Sequence, residues 1–276
     1  MDWSLVLLSQ GIQSTILASA DESNWELQVP AEQLSRAAEA IELYRRENRR
    51  WRWRQTVFQS AYLFDWGSLA WVTLLGVLFW LQASAGLEPA GILDSKAVSQ
   101  GQWWRLFTAT WLHADLGHLA TNAVLGLILL GFTMGRYGTG LGLLAAYLTA
   151  PAGNLASMML SSGRHLSLGA SGMVMGCLGL LAAQFWKAPS GSRVAPKYIL
   201  SGWLAGIMLF VLLGLSPDSD VLAHGGGFVF GVILGVPLAA FREPAKSRAV
   251  DILCGLVFVI LTVLPWWLAL RSQAAG

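Results

Sequence analysis

From Ala61 onward the chain is dominated by apolar stretches close to the roughly 20 residues that a helix needs to cross the hydrocarbon of a bilayer. Seven such spans are read, at about 63–85, 115–135, 139–160, 169–187, 198–215, 221–241 and 250–270, the fifth being the shortest relative to its task. Hydrocarbon offers backbone N–H and C=O groups no partner, so a run of this length has to satisfy them within itself, as a helix. The fold class that follows is an all-α polytopic membrane protein, with the lipid bilayer as its obligatory partner. Composition agrees, since 55% of the 276 residues are hydrophobic and only 12% are charged, far from the balance of a soluble domain. A formal net charge of +2 gives no ground for a nucleic-acid partner. Cys177 and Cys254 both fall inside apolar spans and far apart in sequence, so neither a disulfide framework nor a cysteine metal site is expected.

The first fifty residues differ in character. "SLVLLSQGI" suits a short amphipathic helix, "QSTILAS" and "WELQVP" read as strands around the turn-forming "ADESN", and the segment from Pro30 repeats Leu34, Ala38 and Ile41 at helical spacing. A small α-β-β-α domain is expected over residues 1–50, followed by a basic linker over 51–62. The amino terminus has no basic segment ahead of its short apolar run, so no signal peptide is expected.

Lysines and arginines set an expected orientation. Arg45, Arg46, Arg49, Arg50, Arg52 and Arg54 precede the first span, Arg136 follows the second, Lys187, Arg193 and Lys197 follow the fourth, and Arg242, Lys246 and Arg248 follow the sixth. The opposite connections hold only Lys96, Arg105 and Arg164, with Arg271 near the carboxyl end. By the positive-inside rule the amino-terminal domain is cytoplasmic and the carboxyl terminus lies outside. The even-numbered spans then run inward from the outer face, and their first turns share one depth. Span two opens with His118 and Asn122 one helical turn apart, span four with Ser171, and span six with His224. A lone serine in a membrane helix commonly bonds its own backbone, and a lone histidine or asparagine commonly joins two helices. Polar groups from three helices at one depth need a shared reason.

Nucleophilic chemistry supplies one. A serine hydroxyl attacks only when a base takes its proton, and neutral imidazole does this near pH 7. Ser171 and His224 form such a pair, without a third member, because Asp115, Asp218 and Asp220 sit at or beyond the span ends. Attack on a carbonyl creates an oxyanion, for which His118, Asn122 and the Ser171 amide are candidate donors. Gly169 and Gly172 flank the hydroxyl with hydrogen in place of bulk, giving a substrate backbone close access. The motif is GxSG, with Met173 where the soluble-hydrolase pattern GxSxG has its second glycine. Gly227, Gly231 and Gly235 on span six, and Gly172, Gly176 and Gly179 on span four, allow the two helices to pack backbone to backbone.

These residues resemble the rhomboid family of intramembrane serine proteases. The likeness runs through "WWRLFTATWLHADLGHLATN", with its Trp104-Arg105 pair and His113, His118 and Asn122, then "GASGMVMG", then "AHGGGFVFG". It implies a rhomboid-like six-helix core over 63–241, with a cytoplasmic loop and a seventh transmembrane helix over 242–276. It also implies Ser171 as nucleophile, His224 as general base, and an oxyanion pocket from His118, Asn122 and the Ser171 amide, with Gly169 beside it. His113 and the Trp104-Arg105 pair would hold a long outer loop that dips into the membrane. The amino-terminal segment more loosely resembles the small cytoplasmic domain of some bacterial members. Two features depart from part of the family: Met175 stands where some bacterial members carry a tyrosine that stacks on the histidine, and a seventh span is present.

The expected function is an endopeptidase of the cell (inner) membrane that cleaves single-span membrane proteins within or near their transmembrane segments, from a site open to the extracytoplasmic side. No cofactor is expected. A zinc site built on His113, His118 and His224 is the first rival, but no HExxH motif and no intramembrane carboxylate accompany it. The second is a non-catalytic rhomboid-like quality-control factor that binds membrane helices, which would hold a substrate and leave it uncut.

Overall fold

The computed structural model describes residues 2–18, 25–47, 64–186, 195–215, 219–240 and 247–274. The linker expected over 51–62 lies outside the described residues. So do Arg49, Arg50, Lys187, Arg193, Arg242 and Lys246, on which much of the expected orientation rests. The chain divides into two compact units, Met1–Ala61 and Tyr62–Gly276.

In the first unit, α1 (Asp2–Ser9) leads into β1 (Thr15–Ala18) and β2 (Trp25–Gln28), paired antiparallel with Thr15 opposite Gln28, and then into α2 (Leu34–Glu47). A single 3-10 turn, Ala31–Gln33, separates Pro30 from α2. Its small core is Leu7, Ile12 and Ala37, with Leu27, Val29 and Ile41 packed around them.

The second unit is helical. Among the described residues, five of its helices are long and apolar enough to cross a membrane, namely α3 (Ser68–Ala85), α7 (Leu116–Tyr137), α8 (Thr139–Leu160), α11 (Val221–Ala240) and α12 (Arg248–Ala274). Two more are apolar: α9 (Ser171–Ala182) and α10 (Ala195–Gly214). These seven correspond in order to the seven spans, and the all-α polytopic fold class holds. The shortest is the fourth and not the fifth. At 12 residues, α9 is about 18 Å long, well under the roughly 30 Å of bilayer hydrocarbon. It starts late because Gly169, at φ +128°, holds a left-handed conformation that no helix contains, and it ends early because Ala183–Trp186 tighten into a 3-10 turn.

Between α3 and α7 the chain folds into α4 (Glu88–Gly91), β3 (Leu93–Asp94), α5 (Ser95–Ser99) and α6 (Arg105–Thr108), closing with a 3-10 turn over Ala109–Trp111. Arg105 staples this segment: its Nη1 donates to the Ile92 carbonyl (2.8 Å), Nη2 to that of Pro89 (3.0 Å) and Nε to Gln102 Oε1 (2.7 Å). The Gln82 side chain, on α3, both donates to His113 O (2.9 Å) and accepts from His113 N (3.0 Å). β3 pairs antiparallel with β4 (Leu166–Ser167), just upstream of α9.

Small residues let the helices carrying the site touch at their backbones. A Cβ added at Gly227 of α11 would collide with the Gly172 carbonyl of α9, and one at Gly231 with the Gly176 carbonyl. The pairs advance together along both helices, so α9 and α11 run parallel. α12 lies along α8, where Asp251 Oδ1 accepts from Gly140 N (2.8 Å) and Leu141 N (3.1 Å). Further along it, Phe258 meets Tyr147 at a ring-centroid distance of 5.1 Å and Trp111 at 6.2 Å.

Candidate active site

Ser171 is the first residue of α9 and half-buried. Its helix begins there because the preceding turn passes through Gly169, whose amide donates to Ala109 O at 2.9 Å. That bond and the β3–β4 pair tie the approach to Ser171 to the segment between α3 and α7. An N-terminal position leaves the first amides of α9 without helical acceptors and puts the positive end of its dipole at the hydroxyl.

His118 and Asn122 sit in the first turns of α7, which is capped by Asp115 accepting from His118 N at 2.8 Å. Both side chains face Gly169: a Cβ there would lie 2.7 Å from His118 Cε1 and Nε2, and 3.7 Å from Asn122 Nδ2. Asn122 is 3% exposed, and its Nδ2 has no hydrogen-bond partner among the described residues. A buried donor left unpaired costs about 1–3 kcal/mol. His113 lies against His118, with ring centroids 5.1 Å apart. Burial, reinforced by His118, pushes the His113 imidazole down to about 4, so it is neutral near pH 7.

His224 is buried in the first turn of α11. Its helix meets α9 and α8 through its small residues: Cβ atoms built on Gly172 and Gly153 both approach the Ala223 carbonyl. The residues next to Ser171 and His224 thus face each other across α9 and α11. The structure therefore groups His118 and Asn122 with Gly169, and brings the backbones bearing Ser171 and His224 together. Met175 is buried in the main core.

A cluster that the sequence reading did not single out lies beside this site. Ser157 at the end of α8, His165 and Asp220 are joined by hydrogen bonds of 2.7–2.9 Å. Its only sequence signal is an aspartate four residues before His224. Among the described residues no group of three or more His, Cys, Asp or Glu side chains is placed to hold a metal ion.

Comparison with known proteins gives the family. The Rhomboid domain matches residues 100–241. Rhomboid-like protease 3 of Toxoplasma gondii is 30% identical over 196 residues, covering 66% of this chain and 72% of that protein. Rhomboid protease GluP of Bacillus subtilis (strain 168) is 32% identical over 176 residues, 61% of this chain and 34% of the relative. RHOMBOID-like protein 6, mitochondrial, of Arabidopsis thaliana is 32% identical over 157 residues, 55% of this chain and half of that protein. The chain thus spans half or less of the Arabidopsis and Bacillus relatives. With the domain matched over more than half its length, the chain belongs to the rhomboid family, and it is a multi-pass membrane protein.

Proposed function

We propose that the protein is an intramembrane serine endopeptidase that cleaves single-span membrane proteins within or near their transmembrane segments. Ser171 Oγ attacks the scissile carbonyl carbon while His224 takes the hydroxyl proton. The oxygen of the tetrahedral intermediate draws hydrogen bonds from His118, Asn122 and the Ser171 amide. As the C–N bond breaks, His224 returns the proton to the departing amine. Water then attacks the acyl-serine, again with His224 as base, releasing the second fragment and restoring Ser171. An intact substrate helix shields its carbonyls, so small or helix-breaking residues at the cut site assist. The amino-terminal unit faces the cytoplasm of a cell (inner) membrane, the carboxyl end lies outside, and the site opens to the extracytoplasmic side, in keeping with the basic residues flanking the spans.

The observation that carries this reading is the buried, unpartnered Asn122 amide beside the Gly169–Ser171 turn. Other buried donors among the described residues, the Trp71, Trp104 and Trp266 indoles among them, also lack partners; what sets the Asn122 amide apart is its place beside Gly169, where an oxyanion formed at Ser171 is an acceptor of the right chemistry. The Toxoplasma and Bacillus relatives are both named as proteases, which supports the same reading. The test is labelling by a serine-reactive fluorophosphonate in detergent, with cleavage of a transmembrane substrate in parallel. Wild type is expected to be labelled and to cleave, and Ser171→Ala and His224→Ala to do neither. Labelling that persists in both variants overturns the proposal, as does a wild-type protein that binds substrate and leaves it whole.

A further inference from the structure

Ser157, His165 and Asp220 come from three separate segments: the end of α8, the connection leading to Ser171, and the residue before α11. Ser157 Oγ lies 2.7 Å and 2.8 Å from the two Asp220 oxygens, and His165 Nε2 lies 2.8 Å from Asp220 Oδ2 and 2.9 Å from Ser157 Oγ. The composition invites comparison with a hydrolytic triad, and the geometry excludes it. A triad histidine uses one ring nitrogen for the serine and the other for the carboxylate, whereas here a single nitrogen serves both. Ser157 is also fully buried, closed to any substrate.

The hydrogen-bond inventory fixes the arrangement. An ionised carboxylate only accepts, so Ser157 donates its O–H to Asp220, and His165 carries a proton on Nε2 that it directs at Asp220 and the Ser157 oxygen. Asp220 Oδ1 also accepts from Ala223 N at 2.9 Å, capping α11 one residue before His224. Burial pushes the Asp220 carboxyl up, but the bonds from Ala223, Ser157, Ser167 and His165 outweigh it and hold it below the usual carboxylate range. On the other side, His165 N donates to Ser95 Oγ (2.9 Å) and Ser95 N to His165 O (3.0 Å). The exposed Arg164 pairs with Asp94 at 2.6 Å. The connection running from Ser161 to Gly169 is thus fixed to the outer segment on one flank and to the start of the His224 helix on the other.

We propose that Asp220, with Ser157 and His165, is a positioning clamp that sets the spacing between the connection delivering Ser171 and the helix bearing His224. This rests on Ser171 and His224 being the reacting pair. Asp220 is not the third member of that pair, because its carboxylate is occupied by groups other than the His224 imidazole; it acts through the position of α11. The clamp engages the peptide just upstream of one reacting group and the helix turn just upstream of the other, so loosening it moves one against the other. Displacements of about 1 Å are worth roughly 100-fold in rate.

Asp220→Asn separates capping from clamping. Asparagine caps a helix about as well as aspartate, but it offers one acceptor oxygen and turns an NH2 toward groups that are themselves donors. His165→Leu removes the ring, His165→Gln restores a donor, and Ser157→Ala makes the smallest cut. The readouts are kcat and KM for a transmembrane substrate, the fluorophosphonate labelling rate, and Tm in the same detergent. Asp220→Asn and His165→Leu are expected to lower kcat and the labelling rate about tenfold or more, with KM within about twofold, and His165→Gln to recover most of the loss. Rates within about twofold of wild type in both Asp220→Asn and His165→Leu overturn the clamp, and so does equal loss in His165→Gln and His165→Leu. If the Tm of Asp220→Asn falls too far for assay, Ser157→Ala decides in its place, and unchanged kcat and labelling in that variant overturn the proposal. Ser171-dependent labelling of wild type keeps the two readings apart: its absence refutes the proposed chemistry, and its presence with indifferent clamp variants refutes the clamp alone.

Discussion

Gly169→Ala is the sharpest single perturbation of the candidate oxyanion pocket. The new methyl would lie 2.7 Å from His118 Cε1 and Nε2, whereas ordinary contact begins near 3.4 Å, so the ring has to retreat by about 0.7 Å. His113, packed edge to face at 5.1 Å between centroids, stands in contact with that ring. The backbone adds a separate cost, because φ of +128° suits glycine and strains alanine by about 1–3 kcal/mol. Displacing one oxyanion donor by that distance is expected to lower kcat/KM by roughly 100-fold, near the lower end of what losing such a donor costs. A double-mutant cycle with His118→Ala tests the route. If the methyl acts by pushing the imidazole, it has little left to displace once the ring is gone, and the two substitutions should couple by about 2 kcal/mol in transition-state energy. Labelling rates and substrate cleavage in detergent give all four corners. Additivity within about 0.5 kcal/mol, or a Gly169→Ala rate within about threefold of wild type, refutes the reasoning.

Three other outcomes follow from the same geometry. Gly227→Ala drives a methyl into the Gly172 carbonyl and, by forcing α9 and α11 apart, should lower stability by about 1–3 kcal/mol and slow labelling, read as a lower Tm and a lower rate together. Arg105→Lys replaces a fork donating to Ile92, Pro89 and Gln102 by a point charge; a loss of about 2 kcal/mol is expected in detergent melts, and an unchanged Tm would count against the staple. His113 binds its proton less readily folded, at about 4, than unfolded, at about 6.5. Acid therefore favours the unfolded state. Its contribution is unaffected above pH 6.5 and falls by up to the order of 3 kcal/mol as pH drops toward 4; His113→Leu should flatten the Tm-against-pH curve in that window.

Much of this architecture can be read from the letters. Length and hydropathy locate the spans, and the glycines at 227 and 231 of α11, with 172 and 176 of α9, forecast a backbone contact that the fold contains. The grouping of His118 and Asn122 with Gly169 follows from the motifs. The length of α9 does not: "LLAAQFW" is as apolar as the helix before it, and hydropathy does not distinguish an α-helix from the 3-10 turn that ends it. The segment between α3 and α7 is similarly opaque, being made of helices of four or five residues whose signals fall below any periodicity. The Ser157–His165–Asp220 cluster joins residues as much as 63 positions apart, and no local pattern links them.

The seventh helix sets an order of events during synthesis. Tyr147 OH receives the Trp111 indole proton at 3.1 Å and itself reaches the Leu261 carbonyl at 3.3 Å, while Trp266 presses on Gly91. Every group proposed to do chemistry has left the ribosome before α12, yet the wall behind Trp111 is unfinished until α12 inserts. A chain grown only as far as α11 therefore carries every side chain proposed to react on a frame that still lacks this brace.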